Sequence, residues 1–197
     1  MKKSIDPLSQ YCPQTLYAYG SNKEDGTPNF GLFSWLSGYF DKEMGVMVCL
    51  SGDKITKDRI HATNVFSANL LTEQLLPFAD YCGFTEGYDE RKMQVPIEVE
   101  RGHVLDVPIL AKSPWVYELE VDKSIVMEDG EVFFCKIKNV LADEVLCDDS
   151  LSIEQRMNTI KPVHTVDQTY FNWNGTAAGD WKTLMENVQT NTLRGVL

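Results

Sequence analysis

From residue 51 to residue 59 the chain reads Ser-Gly-Asp-Lys-Ile-Thr-Lys-Asp-Arg. An apolar strand, GVMVCLS (45–51), ends at Ser51, Gly52 permits a tight turn, and a helix over 56–63 is expected with Thr56 as its N-cap. The start of such a helix carries free backbone N–H groups and the positive end of the helix dipole, which together attract anions. Lys54, Lys57 and Arg59 add positive charge at the same place. The chemistry on offer is the grip of a phosphate or a carboxylate. The same residues also serve as a capped surface helix with solvated lysines. A second stretch, over 27–35, sets Asn29 and Ser34 beside Phe33 and Trp35 instead of alternating polar and apolar residues. Aromatics in that order can flank a planar apolar group whose anionic tail reaches Lys54 and Thr56.

Composition narrows the classes. The chain has 197 residues and a net charge of −11, which argues against a nucleic-acid partner, because phosphate neutralisation needs clustered Lys and Arg. No apolar run approaches the roughly 20 residues of a membrane span. Met-Lys-Lys leads into a polar stretch without the apolar core of a secretory signal, so a cytoplasmic protein without a membrane partner is the expectation. Five cysteines (Cys12, Cys49, Cys82, Cys135 and Cys147) are odd in number and irregular in spacing, and no C-x-x-C occurs. Reduced, buried thiols are expected rather than a disulfide frame or a metal site. Sequence signatures of phosphate-binding glycine loops, nucleophile elbows and zinc helices are missing.

The elements that must carry these residues read as antiparallel β. Asp25-Gly26, Asp129-Gly130 and Asn174-Gly175 each sit between β-branched or aromatic runs, as hairpin turns do, with two successive positive-φ positions expected at the first. Trp115, Tyr117, Leu119 and Val121 recur with the period of two of a half-buried strand, and VFSANLL (65–71) reads as another strand. The result is a mainly β chain, a barrel or sandwich with a few short helices. A helix is expected within 72–83, starting either at its beginning or equally near Pro77, which sits badly inside a helix, and another after the Ser152…Gln155 capping box. The 83–114 stretch reads as a long excursion over the surface. One domain is expected over 1–197, with its core at about 14–180 and a frayed or partner-docked tail over 183–197.

A large π system with polar edges and a dianionic tail is what flavin mononucleotide (FMN) presents, so the aromatic strand and the Lys54–Thr56 turn together suit it. The ordered set Gly26, Asn29, Phe33, Ser34, Lys54, Thr56, Ile60, Phe66, Asn69 and Leu70 resembles the flavin reductase-like family of FMN-binding split barrels, its flavoredoxin branch above all. The likeness runs from about Gln14 to Gly179. Leu32 replaces the family's usual Pro, Ile55 its usual Asp, and Arg59 stands where Asn is common. The resemblance implies an antiparallel Greek-key split β-barrel that forms a homodimer, with FMN near the interface. It also implies flavin-binding roles for Asn29, Phe33, Ser34, Trp35, Ser51, Lys54, Thr56, Asn69, Lys92 and His164. In this assignment Asn29 meets a polar flavin edge, Ser34 the pyrimidine and Trp35 the ring face, while Lys92 follows the long loop and His164 lies at the rim.

Two activities follow from such a site. Either NADH or NADPH reduces the flavin by hydride transfer, or the flavin carries electrons between redox protein partners, for which an acidic surface suits basic partners. A split-barrel binding module that has lost flavin is the third reading; Ser34, Lys54 and Thr56 oppose it.

Overall fold

A computed structural model describes residues 1–6, 11–185 and 188. The strands are β1 (Gln14–Thr15), β2 (Tyr17–Asn22), β3 (Pro28–Phe33), β4 (Leu36–Phe40), β5 (Met44–Ser51), β6 (Val65–Leu70), β7 (Val99–Arg101), β8 (Pro108–Leu110), β9 (Trp115–Val126), β10 (Gly130–Ala142), β11 (His164–Val166), β12 (Thr169–Phe171) and β13 (Ala177–Asp180). The helices are α1 (Ile55–Thr63), α2 (Leu76–Phe84), α3 (Glu144–Cys147) and α4 (Ile153–Ile160), with a 3₁₀ turn over Glu90–Met93. No helix among the described residues is long and apolar enough to cross a membrane.

Seven strands form one sheet in the order β3-β2-β6-β9-β10-β5-β4, antiparallel throughout. Its two edge strands, β3 and β4, are consecutive in the chain and joined only by Ser34 and Trp35. Laid flat, the edges of seven strands would stand about 29 Å apart at the usual ~4.8 Å strand spacing. The three steps from Phe33 to Leu36 span at most about 11 Å. The sheet must therefore curl until its edges nearly meet, leaving a split at residues 34 and 35. Trp35 holds that seam, since its carbonyl accepts from Cys49 N–H and from the Tyr19 hydroxyl.

Alternation then decides which side chains fill the barrel. Tyr19, Val46, Val48, Leu50, Phe66, Ala68, Leu119, Phe133 and Cys135 point inward, and Ile60 of α1 closes one end. On the outside, Ala18 of β2 and Phe30 of β3 face α2, whose Leu76, Phe78, Ala79 and Cys82 pack there with Tyr170. Burial of this second apolar layer fixes where the C-terminal end of α2 lies, beside the split. Two shorter sheets, β1-β11-β12-β13 and β7-β8, flank the barrel.

The three expected hairpins form, although the turn at Asp25-Gly26 differs from the expected one. Only Gly26 has a positive φ, +82°, and Asp25 instead accepts from the N–H and hydroxyl of Thr27. Asn174-Gly175-Thr176 repeats that device between β12 and β13. α2 starts with Pro77 in its first turn, and α4 carries the expected capping box. The 83–114 stretch is not a bare excursion. It contains the end of α2, the 3₁₀ turn and the β7–β8 pair, with Val107, Ile109 and Leu110 buried. Strands of three residues are too short to show a period in sequence. All five cysteines are free; Cys82 and Cys135 are buried as expected, Cys49 is half-buried, and Cys12 and Cys147 are exposed.

Candidate flavin site

Two adjoining cavities open beside the split. The first, of about 190 Å³, has Phe33, Ser34, Trp35, Ser51 and Lys54 on its walls, with Phe84 and Trp181 among the others. The second, of about 450 Å³, shares Leu32, Phe33, Lys54, Gly83 and Phe84 with the first and continues to Thr56, Lys92 and Lys182. The two make one groove, aromatic at one end and cationic at the other. Trp35 is 44 % exposed, so it is a wall of the groove and not a core residue. Phe33 stacks on Tyr19 with ring centroids 4.5 Å apart, which fixes its ring orientation.

The cationic end is built differently from what the sequence suggests. Thr56 is not the N-cap of α1. Lys54 holds that position in an extended conformation, without a side-chain cap, and Thr56 lies buried one turn position inside the helix. The N–H groups of the first turn thus have no capping side chain and remain available to a ligand. Lys57 and Arg59 turn away: Lys57 donates to the Gly52 carbonyl, and Arg59 to the Asn22 carbonyl and Glu24. Lys54 stays, its Nζ 5.9 Å from the Phe33 ring centroid, and Lys182 stands over Phe84 at 5.2 Å.

Lys92 is the unusual group. It lines the cavity yet is only 4 % exposed, and no ion pair or hydrogen bond of its side chain exists among the described residues. Burial lowers its pKa; nearby Cys82 and Glu86 oppose that shift, while Lys23 and Lys54 add to it. An ammonium so far withdrawn from water, with no carboxylate in hydrogen-bond contact among the described residues, is favoured by an anion beside it in the cavity. Asp53 and Glu86 are the acidic groups on the same walls.

Asn29 does not reach the groove directly. It is fully buried, and its Nδ2 donates to Thr56 Oγ1 at 3.1 Å. With that lone pair occupied, the Thr56 hydroxyl proton is free to point into the cavity. Asn29 Oδ1 has no partner among the described residues. Asn69 is a correction too. Its Nδ2 donates to the Ala18 carbonyl and Ser67 Oγ, and its Oδ1 accepts from Leu110 N–H, so it ties β6 to β2 and β8 and lines neither cavity. His164 is likewise elsewhere, paired with Thr15 across β1–β11 and stacked on Phe171 at 5.5 Å. Burial lowers its pKa. Trp181, Phe84, Lys182 and Cys49 belong to the groove and were missed. An aromatic just past the last strand, as Trp181 is, was the one available signal. The Cys49 thiol is pushed up by burial.

Comparison with known proteins agrees with this architecture. The flavin reductase like domain family matches residues 9–159. The chain therefore belongs to that family, and its function is flavin-related. Flavoredoxin of Desulfovibrio vulgaris (Miyazaki F) superposes with a TM-score of 0.78 at 22 % identity, over 93 % of this chain and 99 % of that one. Flavoredoxin from Methanosarcina acetivorans gives 0.74 at 19 %, over 93 % and 97 %. An FMN-binding protein from Thermus thermophilus, solved with bound p-hydroxybenzaldehyde, gives 0.70 at 20 %, over 87 % and 93 %. At these identities the likeness establishes the fold, an antiparallel split barrel. A comparison with curated proteins gave no match.

Proposed function

We propose that the groove binds FMN and that the protein is an oxidoreductase reducing this flavin with NADH or NADPH. The observation that carries the reading is the pairing of an aromatic slot with the largely buried Lys92 at its far end, whose side chain has no hydrogen-bond or ion-pair partner among the described residues. The α1 N–H groups, the Thr56 hydroxyl, Lys54 and Lys92 would hold the phosphate, and Lys182 adds long-range attraction. Phe33, Ser34, Trp35 and Trp181 would flank the ring. When bound, FMN supplies reversible electron acceptance, the chemistry that no side chain here offers. The protein's part is to orient the ring at the split, keep one face shielded by aromatics and leave the other open for a donor. No acid or base side chain is then required.

The rival reading is an electron carrier that meets protein partners instead of nicotinamide, favoured by the net charge of −11. An absorption spectrum of purified protein, followed by NADH or NADPH under anaerobic conditions, separates the readings. Bound yellow flavin that bleaches within seconds is the expected result. Bound flavin that persists assigns the carrier role, and a protein that takes up no flavin refutes the FMN site.

We further propose a homodimer. The outer face of β4, β5 and β10 presents Trp35, Met47, Cys49, Val132 and Phe134 side by side and opens onto the groove, and a second copy is the simplest cover for it.

A further inference from the structure

Asp80 is fully buried in α2, and among the described residues no cation is paired with it. Its charge is balanced by four donors. Oδ1 accepts from the Tyr170 hydroxyl at 2.7 Å and from Lys182 N–H at 2.9 Å. Oδ2 accepts from Leu184 N–H and Met185 N–H, each at 3.0 Å. Two oxygens with two acceptances each are a saturated carboxylate. Three of those four donors are backbone groups of one short segment just past the last strand. Residue 182 takes a φ of +70°, so the chain wraps its N–H groups around the carboxylate.

That segment is also a wall of the groove. Trp181 lines the aromatic cavity, and Lys182 and Met185 line the cationic one. The opposite wall is the end of α2 itself, Gly83 and Phe84, one turn beyond Asp80. We infer that Asp80 is a positioning residue for the ligand groove: it clamps the 182–185 segment to α2 and so holds Trp181 and Lys182 against the bound flavin. The seven-stranded barrel runs without this clamp, since neither the 182–185 segment nor β12, which carries Tyr170, belongs to it. Loss of the clamp opens the groove and leaves the barrel standing. This inference rests on the groove holding a flavin, but the clamp itself is testable without one.

Asp80→Asn keeps the shape and replaces an acceptor with a donor facing N–H groups. Two readouts apply. In ligand-free protein, trypsin is expected to cut after Lys182 at least tenfold faster in Asp80→Asn than in wild type, with the far-ultraviolet circular dichroism of the two unchanged. In protein loaded with FMN, flavin dissociation is expected to accelerate at least tenfold, with loss of the flavin's visible circular dichroism. Should Asp80→Asn fail to fold, the clamp is released from the other side by Leu184→Pro, which removes the N–H that donates to Asp80 Oδ2 and keeps Lys182 as the cleavage site. Leu184→Ala, which removes only the side chain, is its control, and Leu184→Pro should exceed it tenfold in both readouts. Equal cleavage rates in clamp variants and controls overturn the clamp. Faster cleavage with unchanged flavin dissociation overturns its role in the groove. If wild type binds no FMN, the flavin reading fails, and the cleavage comparison still decides the clamp.

Discussion

Lys92 shows how a binding group can cost a fold stability. Its lowered pKa means that the folded, ligand-free protein binds that proton less tightly than the unfolded chain, whose lysine titrates near ~10.4. Between the lowered value and ~10.4 the unfolded state holds more protons, so the stability of the ligand-free protein rises with pH across that window. A phosphate beside the ammonium acts oppositely: affinity is full below the lowered pKa and falls as pH climbs through it. Lys92→Met is therefore expected to raise the melting temperature of the ligand-free protein at neutral pH. It should also weaken FMN binding by roughly 10- to 150-fold, the equivalent of a charge-assisted hydrogen bond of about 1.5–3 kcal/mol. Calorimetry and FMN titration measure both; unchanged FMN affinity would remove Lys92 from the site. Lys54 and Thr56 were legible because a strand, a glycine and a helix start follow one another there. The fate of Lys57 and Arg59 was not, because which way a helix face turns depends on carbonyls, such as those of Gly52 and Asn22, that only the fold brings near.

Among the elements, β6 contributes more to the frame than to the ligand. Asn69 supplies two donors and one acceptor to three different partners in a dry interior, a role identical in sequence to that of a cofactor-facing amide. Asn69→Ala leaves Leu110 N–H without its partner and should destabilise the fold by ~2–4 kcal/mol in urea unfolding, while folded protein keeps its FMN affinity. A large affinity loss at unchanged stability would return Asn69 to the site. The hairpins were readable because Asx-Gly turns and two-residue periods are local signals, as at β9–β10. The start of α1 was misplaced because its N-cap is a lysine that caps nothing. The β7–β8 pair was unreadable because its strands are three residues long and β8 owes its burial to Ser67, Asn69 and the barrel wall.

For the molecule as a whole, the split at Ser34 and Trp35 follows from topology, since the two sheet edges are neighbours in the chain. That seam leaves the groove open beside the apolar outer face of β5 and β10. Sedimentation at micromolar concentration should give a dimer, and Met47→Asp should give a monomer with weakened FMN binding; a wild-type monomer holding stoichiometric FMN would remove the partner from the site. The expected tail over 183–197 is partly outside the described residues, and its described start, far from frayed, is held by Asp80. The central claim is that the cationic end of the groove grips a phosphate. It is tested most directly by titrating ligand-free protein with FMN and with riboflavin, which lacks the phosphate, and following tryptophan quenching. The account predicts that FMN binds at least a hundredfold more tightly than riboflavin, and that Lys92→Met with Thr56→Ala erases most of the difference. Equal affinities for the two flavins in the wild-type protein would contradict it.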